Sequence, residues 1–279
     1  MIESKISKWA VIQSLPDGES PTGKRLYEDI TMIILRDAPR LKMEYKDICC
    51  KKELFAYLSQ LKEESSRGLW PLIHLECHGL SCRTGILLGD GSSVLWQELY
   101  PYFSAINKNT KLNLILVAGL CYGVFFSELF SAIDKAPFLM AIGPTEQINN
   151  VEIENSFREF YTNYFCSSNG TEAVDKLIKR NLNEGAFYIT IATSIFKKFF
   201  KTYLLQLNNQ NDIEKIIREK TINVNTQYLV DDHTKYNYCE AVFNRHYKKF
   251  FMVDLYPENK DRFKFSFKDI MHELQLGVF

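Results

Sequence analysis

Short apolar runs alternate with amphipathic stretches along the first two thirds of the chain. Four such runs are Trp9–Pro16, Trp70–Gly79, Lys111–Leu120 and Lys135–Pro144. Their length and predominance of apolar residues are typical of buried strands, and the nearly continuous run Lys111–Leu120 is typical of a strand buried on both faces of a sheet. Between them, Lys24–Ala38 and Lys51–Gly68 carry apolar residues at helical spacing. This alternation predicts an α/β fold with a mainly parallel central sheet flanked by helices.

Weaker patterns complete the expected order of elements. Leu41–Ile48 alternates as a second strand, and Gly85–Leu95 has the turn residues of a hairpin at Asp90-Gly91. Phe187–Ser194 is predicted as a last strand. Helices are predicted at Trp96–Ile106, Cys121–Ile133, Val151–Phe165, Thr171–Leu182 and Ile195–Leu207.

The polar stretch Asn208–Asp212 is the best candidate for a domain boundary, because the sequence beyond it is more charged and has mixed periodicity. We therefore expect a core at 1–207 and a helical or mixed C-terminal extension at 208–279, whose role the sequence does not indicate. A chain of 279 residues is long enough for one large domain with such an appendage.

Charge and cysteine content narrow the class of protein. Lys+Arg and Asp+Glu both number 34, so the basic surplus of a typical nucleic-acid-binding protein is missing and no direct nucleic-acid partner is expected. Seven irregularly spaced cysteines indicate a reducing compartment, and we expect a cytoplasmic protein. The first residues lack a signal-peptide pattern. The longest uncharged stretch, Leu112–Ser127, is shorter than the roughly 18–20 apolar residues of a membrane-spanning helix.

Two strand ends carry residues that suit nucleophilic catalysis. His78-Gly79 ends the run LIHLECHG, and Cys121 follows the apolar run LILVAGL, ahead of a predicted helix. The carboxyl ends of parallel strands share one edge of a sheet, so these residues face each other if the strands are neighbours. A cysteine nucleophile needs a base within reach and a positive potential, to which a helix N-terminus would contribute. The backbone amides of Gly79 and Cys121 would then point to where an oxyanion can form.

HLECHG, the hairpin and helix GILLGDGSSVLWQELYPYF, and LILVAGLCYG together resemble the CHAT branch of the caspase-like cysteine peptidases, over roughly residues 9–182. Members of that family carry His-Gly at the end of one core strand and the nucleophilic Cys at the end of a later one. The resemblance implies a caspase-like three-layer sandwich and a cysteine endopeptidase that cleaves a protein substrate. It implies Cys121 as nucleophile, His78 as general acid and base, and an oxyanion hole made by Gly79 and Cys121. The sequence departs at Leu120, where the family more often has Ser or Ala.

The resemblance also bears on specificity and regulation. In such a fold the loops after the first, third and fifth strands line the P1 pocket, and Asp17, Glu19 and Glu146 stand in the first and last of these loops. An acid there would favour a basic P1 residue. Family members are often held inactive until a partner or signal arrives, so the C-terminal extension is a candidate to bind an activating or inhibitory protein. Small prokaryotic members are associated with defence or programmed cell death.

Other interpretations of these residues stay open. Cys121 alone would fit an ordinary buried cysteine. Zinc would need Cys77, His78, Cys82 and Cys121, but their spacing matches no metal-knuckle pattern, so no metal and no cofactor are expected. The main alternative is a catalytically inactive scaffold or sensor, because Leu120 and Tyr122 could crowd the thiol. A nucleotide or small-molecule hydrolase is a weaker alternative, since the sequence has no Gly-rich phosphate loop.

Overall fold

The computed structural model describes residues 5–129, 134–166, 170–180, 186–209, 216–217 and 231–274. The chain divides into two compact units, one of Met1–Phe130 with Ala136–Ala192 and the other of Ser131–Lys135 with Thr193–Phe279. Most of the predicted boundary Asn208–Asp212 lies outside the described residues, so that boundary stays a prediction.

The first unit is built on an eight-stranded sheet. Its strands are β1 (Lys8–Ser14), β2 (Lys42–Asp47), β3 (Pro71–Gly79), β4 (Gly85–Leu87), β5 (Ser93–Leu95), β6 (Ile115–Gly119), β7 (Met140–Pro144) and β8 (Phe187–Ile191). The main path runs β2-β1-β3-β6-β7-β8, and all of its neighbours are parallel except β7 and β8. The antiparallel hairpin β4–β5 joins the end of β3. The predicted mainly parallel sheet is confirmed.

Helices lie on both faces of this sheet. They are α1 (Thr22–Asp37), α2 (Lys51–Ser66), α3 (Trp96–Asn109), α4 (Asn150–Cys166) and α5 (Gly170–Ile178). The chain steps from β1 to β2 through α1 and returns past β1 to β3 through α2, so right-handed connections place α1 and α2 on opposite faces. Trp9 and Val11 belong to the core cluster that includes Ile30 of α1 and Phe157 of α4. The alternate residue Ala10 is equally buried and points to the other face.

The segment after β6 corrects one prediction. An α-helix was expected over Cys121–Ile133, but the chain makes a turn at Cys121 and Tyr122 and then a 3₁₀ helix over Gly123–Leu129; the last four residues of that prediction, 130–133, lie outside the described residues. Tyr122 has a φ of 60°, in the left-handed region, which a right-handed helix cannot include. Cys121 therefore does not stand at the N-terminus of an α-helix, and the expected contribution of an α-helix dipole is lost.

The second unit is helical in its described part. Its helices are α6 (Ala192–Asn209, whose first residue belongs to the first unit), α7 (Asp232–Phe250), α8 (Asn259–Arg262) and α9 (Phe267–Glu273). Aromatic rings form its core, in which Phe196 packs against Phe243, Phe250 and Phe251. None of the helices in the described ranges is long and apolar enough to cross a membrane.

Candidate active site

The register between β3 and β6 brings His78 and Cys121 to the same level of the sheet. The last registered pair joins Glu76 to Gly119, an offset of 43 residues. Cys121 follows His78 by the same 43 residues, so both lie two positions beyond that pair. Neighbouring strands lie about 4.8 Å apart. The two residues named by the sequence analysis thus meet at the carboxyl edge of adjacent parallel strands.

The backbones of Gly79 and Cys121 are in close contact. A Cβ atom at Gly79 would lie 1.9 Å from the carbonyl oxygen of Cys121, so no side chain fits there without a backbone shift. The N–H of Leu80 donates to the carbonyl of Gly85 on the β4 side at 3.0 Å. Because N–H directions alternate along a strand, the N–H of Gly79 points away from β4. That arrangement leaves the Gly79 amide free of the hairpin, as an oxyanion donor must be.

The imidazole of His78 is paired with a carboxylate from the loop after β1. Nε2 of His78 lies 2.9 Å and 3.1 Å from the two carboxylate oxygens of Glu19. The two side chains are 38% and 37% exposed, so the pair lies at the surface. Glu19 was expected to line a substrate pocket, and the structure places its carboxylate directly on the candidate general base.

Cys121 is half-buried, and its thiol has a different neighbour. Sγ lies 3.8 Å from the carbonyl oxygen of Ile148, in the loop after β7. His78 and Cys121, both within the described residues, make no hydrogen bond to each other. Catalytic hydrogen bonds are often long without substrate, so the arrangement fits a site whose backbone is in register and whose reactive groups engage only when substrate binds.

Asp17 and Glu146, the other acids expected near a substrate pocket, are both exposed. The carbonyl oxygen of Glu146 accepts a hydrogen bond of 3.2 Å from the N–H of Tyr122, which places its backbone one residue from the nucleophile. Asp17 lies in the turn that leads to Glu19. Within the described part of the chain, neither carboxylate forms an ion pair with a basic side chain.

Arg83 is a cation next to this site that the sequence analysis missed. Its guanidinium lies 5.1 Å from the ring centres of both Tyr122 and Phe125, within cation–π range. The backbone carbonyl of Arg83 accepts a hydrogen bond of 2.8 Å from the indole of Trp96. These contacts fix the loop after Gly79 against the segment after Cys121. The sequence signal was an arginine in that loop and two aromatic residues within four positions after the nucleophile.

A row of polar side chains runs along β3 and is buried at its lower two positions, His74 and Glu76. The side chains of His74, Glu76 and His78 alternate onto one face of the strand. Nε2 of the fully buried His74 lies 2.8 Å from the Glu76 carboxylate, which also accepts a 2.5 Å hydrogen bond from the Thr22 hydroxyl. Nδ1 of His74 lies 3.1 Å from the Tyr161 hydroxyl. The sequence analysis missed Glu76, although a charged residue inside an apolar run signals a buried polar network.

The remaining thiols near the site differ in environment. A hydrogen bond with Thr84 lowers the pKa of the exposed Cys82 thiol, whereas burial raises the pKa of Cys77 well above its ordinary value. No group of three or more His, Cys, Asp or Glu side chains in the described ranges is placed to hold a metal ion.

Comparisons with known proteins identify structural likenesses only. No protein-family model and no curated protein sequence matches the chain. The initiator caspase Dronc of Drosophila superposes with a TM-score of 0.45 and 11% identity, over 68% of this chain and 82% of that one. Caspase-1 of Spodoptera frugiperda superposes with a TM-score of 0.47 and 15% identity, over 68% of this chain and 88% of that one. Similarity at this level does not by itself define the activity of the chain.

Proposed function

We propose that the chain is a cysteine endopeptidase that cleaves protein substrates through His78 and Cys121. The observation that carries this proposal is the shared register of the two residues, together with the close contact between Gly79 and Cys121. A base, a thiol and a backbone amide from two adjacent strand ends are the minimum set for acyl transfer.

The proposed reaction proceeds in two halves. The Cys121 thiol gives its proton to His78, and the thiolate attacks the scissile carbonyl carbon to form a C–S bond. The resulting oxyanion accepts hydrogen bonds from the amides of Gly79 and Cys121. As the C–N bond breaks, the His78 imidazolium donates its proton to the leaving amine. His78 then takes a proton from water as the water oxygen attacks the thioester carbon. The C–S bond breaks, the carboxylic acid leaves, and the His78 imidazolium returns the proton to the sulfur, which restores the Cys121 thiol.

Regulation is part of this proposal. His78 contacts Glu19 and the Cys121 thiol lies near the Ile148 carbonyl, so a hydrogen bond between thiol and imidazole requires one of the two groups to move. Substrate or a protein partner could supply the energy for that movement, and the extension at 208–279 is the candidate surface for an activating or inhibitory partner. The missing hydrogen bond between His78 and Cys121 is also the observation that favours the alternative function, a catalytically inactive scaffold or sensor.

Both acidic and basic side chains lie around the site, so the P1 residue of the substrate could be basic or acidic, and the two cases can be distinguished by experiment. Asp17 and Glu146 are exposed acids that would favour a basic P1 residue, as proposed from their positions after β1 and β7. Arg83 carries the opposite charge close to Tyr122. Asp17→Asn and Glu146→Gln should each reduce cleavage after basic residues if these carboxylates line the pocket.

A proteome-derived peptide library tests the activity without a known substrate. The full chain is incubated with the library, and new N-termini are identified by mass spectrometry. The proposal predicts cleavage that is lost in both Cys121→Ala and His78→Ala and kept in Cys239→Ala, a buried cysteine of the other unit. Absence of cleavage by the wild-type chain, with Cys121 no more reactive than a free thiol, would support the inactive scaffold.

A further inference from the structure

The contact between Glu19 and His78 is supported by the backbone on both sides of Glu19. The N–H of Glu19 donates to the carbonyl of Pro16 at 3.1 Å, closing a tight turn. Gly18 within that turn has a φ of 87°, a conformation that favours glycine. The turn therefore fixes where the Glu19 side chain leaves the backbone.

The chain is anchored again three residues later. The Thr22 hydroxyl, at the start of α1, donates to the buried carboxylate of Glu76 at 2.5 Å. Glu76 precedes His78 by two residues and points to the same face of β3. The loop from Glu19 to Thr22 thus runs along β3, with Glu19 at the level of His78 and Thr22 at the level of Glu76.

We propose that Glu19 is a positioning residue for the proposed peptidase and that it makes the site a Glu19–His78–Cys121 triad. This inference rests on the proposed function. Because Nε2–H of the neutral imidazole donates to the Glu19 carboxylate, the tautomer is fixed and Nδ1 carries the lone pair that can accept the thiol proton. Glu19 holds the ring in this orientation and stabilises the imidazolium that forms.

The proton lost by Cys121 stays within the three residues of the triad. The S–H bond of Cys121 breaks and an N–H bond forms at Nδ1 of His78, which leaves a thiolate beside an imidazolium with both nitrogens protonated. The Glu19 carboxylate stays ionised throughout and accepts the Nε2–H hydrogen bond. Other charged groups on the surrounding elements are Asp17 in the same turn, Glu76 on the same face of β3, Arg83 in the loop after Gly79, and Glu146 in the loop after β7.

The first test is the pH dependence of Cys121 alkylation by iodoacetamide, followed site by site with mass spectrometry. Wild type is compared with Glu19→Gln, His78→Ala and the control Glu63→Gln, an exposed acid of α2 that pairs with Arg67. Loss of the carboxylate disfavours the thiolate–imidazolium pair, so Glu19→Gln should raise the pH midpoint by roughly half a unit, the scale of an exposed ion pair. Glu63→Gln should change the midpoint much less.

The second test reports on His78 without the thiol. In Cys121→Ala, NMR follows the His78 imidazole against pH, and Glu19→Gln should lower the pH at which the ring gains its second proton. A shift of the Cys121 alkylation midpoint in His78→Ala, with no shift in Glu19→Gln, would overturn the role of Glu19 and leave the dyad intact. An NMR shift without any change in Cys121 alkylation would make the contact merely structural and overturn the proposal. No alkylation shift in His78→Ala would contradict the proposed dyad itself.

Discussion

The α-carbon of Gly79 packs against the carbonyl group of Cys121, so closely that a methyl group at Gly79 would lie 1.9 Å from that oxygen. This contact joins the residue after the candidate base to the candidate nucleophile. It explains why glycine follows His78, since any larger residue would push the two strand ends apart.

Gly79→Ala should therefore disrupt the site as well as reduce stability. We expect a loss of about 1–3 kcal/mol in the free energy of unfolding, the cost of overpacking, and loss of any enhanced Cys121 reactivity. Gly68→Ala is the control: Gly68 has a φ of 92° with nothing within 4 Å of the added methyl, so it costs backbone strain only. Urea unfolding and Cys121 alkylation measure both effects. Normal Cys121 reactivity in Gly79→Ala would contradict the proposed role of this contact.

The buried carboxylate of Glu76 should be one of the larger contributors to stability. Glu76→Ala removes the partner of both Thr22 and the buried His74, leaving their polar atoms without an acceptor. We expect a loss of about 3 kcal/mol. The control Glu63→Ala removes an exposed pair with Arg67 and should cost less than about 0.5 kcal/mol. Equal losses in the two variants, measured by urea unfolding, would argue against a structural role for the network.

Acid should weaken the contact between α1 and α4. The hydrogen bond from Arg25 lowers the pKa of Glu154 below its ordinary value of 4.5. A lowered folded-state pKa contributes stability that is fully present above about pH 4.5 and is lost as pH falls through the folded-state pKa. Glu154→Gln should lower the free energy of unfolding by about 1 kcal/mol at pH 7 and by much less at pH 2.5. A difference from wild type that is the same at both pH values would refute this assignment.

The cysteines should separate clearly by reactivity in the native protein. Burial raises the pKa of Cys239 to about 12, and Cys77 is buried as well, so both should react with iodoacetamide only after unfolding. Cys82 should react early, because it is exposed and its pKa is lowered by Thr84. Thr84→Val should slow Cys82 alone. Early modification of Cys77 or Cys239 would contradict the packing around these residues.

The sequence predicted the sheet because its central strands are continuous apolar runs, which few other elements of that length can match. It also predicted that His78 and Cys121 face each other if their strands are neighbours, and β3 and β6 are paired neighbours. It did not predict the pairing of Glu19 with His78, or the packing of Arg83 on Tyr122 and Phe125. Such contacts depend on where loops turn, and loop geometry is not encoded in apolar periodicity.

The prediction of an α-helix after Cys121 was wrong for a related reason. The residues CYGVFFSELFSAI have a helical pattern, but Tyr122 adopts a left-handed φ and donates its N–H to the carbonyl of Glu146, in the loop after β7. A tertiary contact thus overrides the local preference at the residue directly after Cys121.

The central claim is that His78 and Cys121 act as one unit. The most direct measurement is the rate of Cys121 alkylation at pH 6.5, relative to Cys50 in the same molecule, in wild type and His78→Ala. A free thiol is only about 1% ionised at that pH. We predict that Cys121 reacts at least about tenfold faster than Cys50 in wild type and loses this advantage in His78→Ala. Equal rates for the two cysteines in both proteins would contradict the claim.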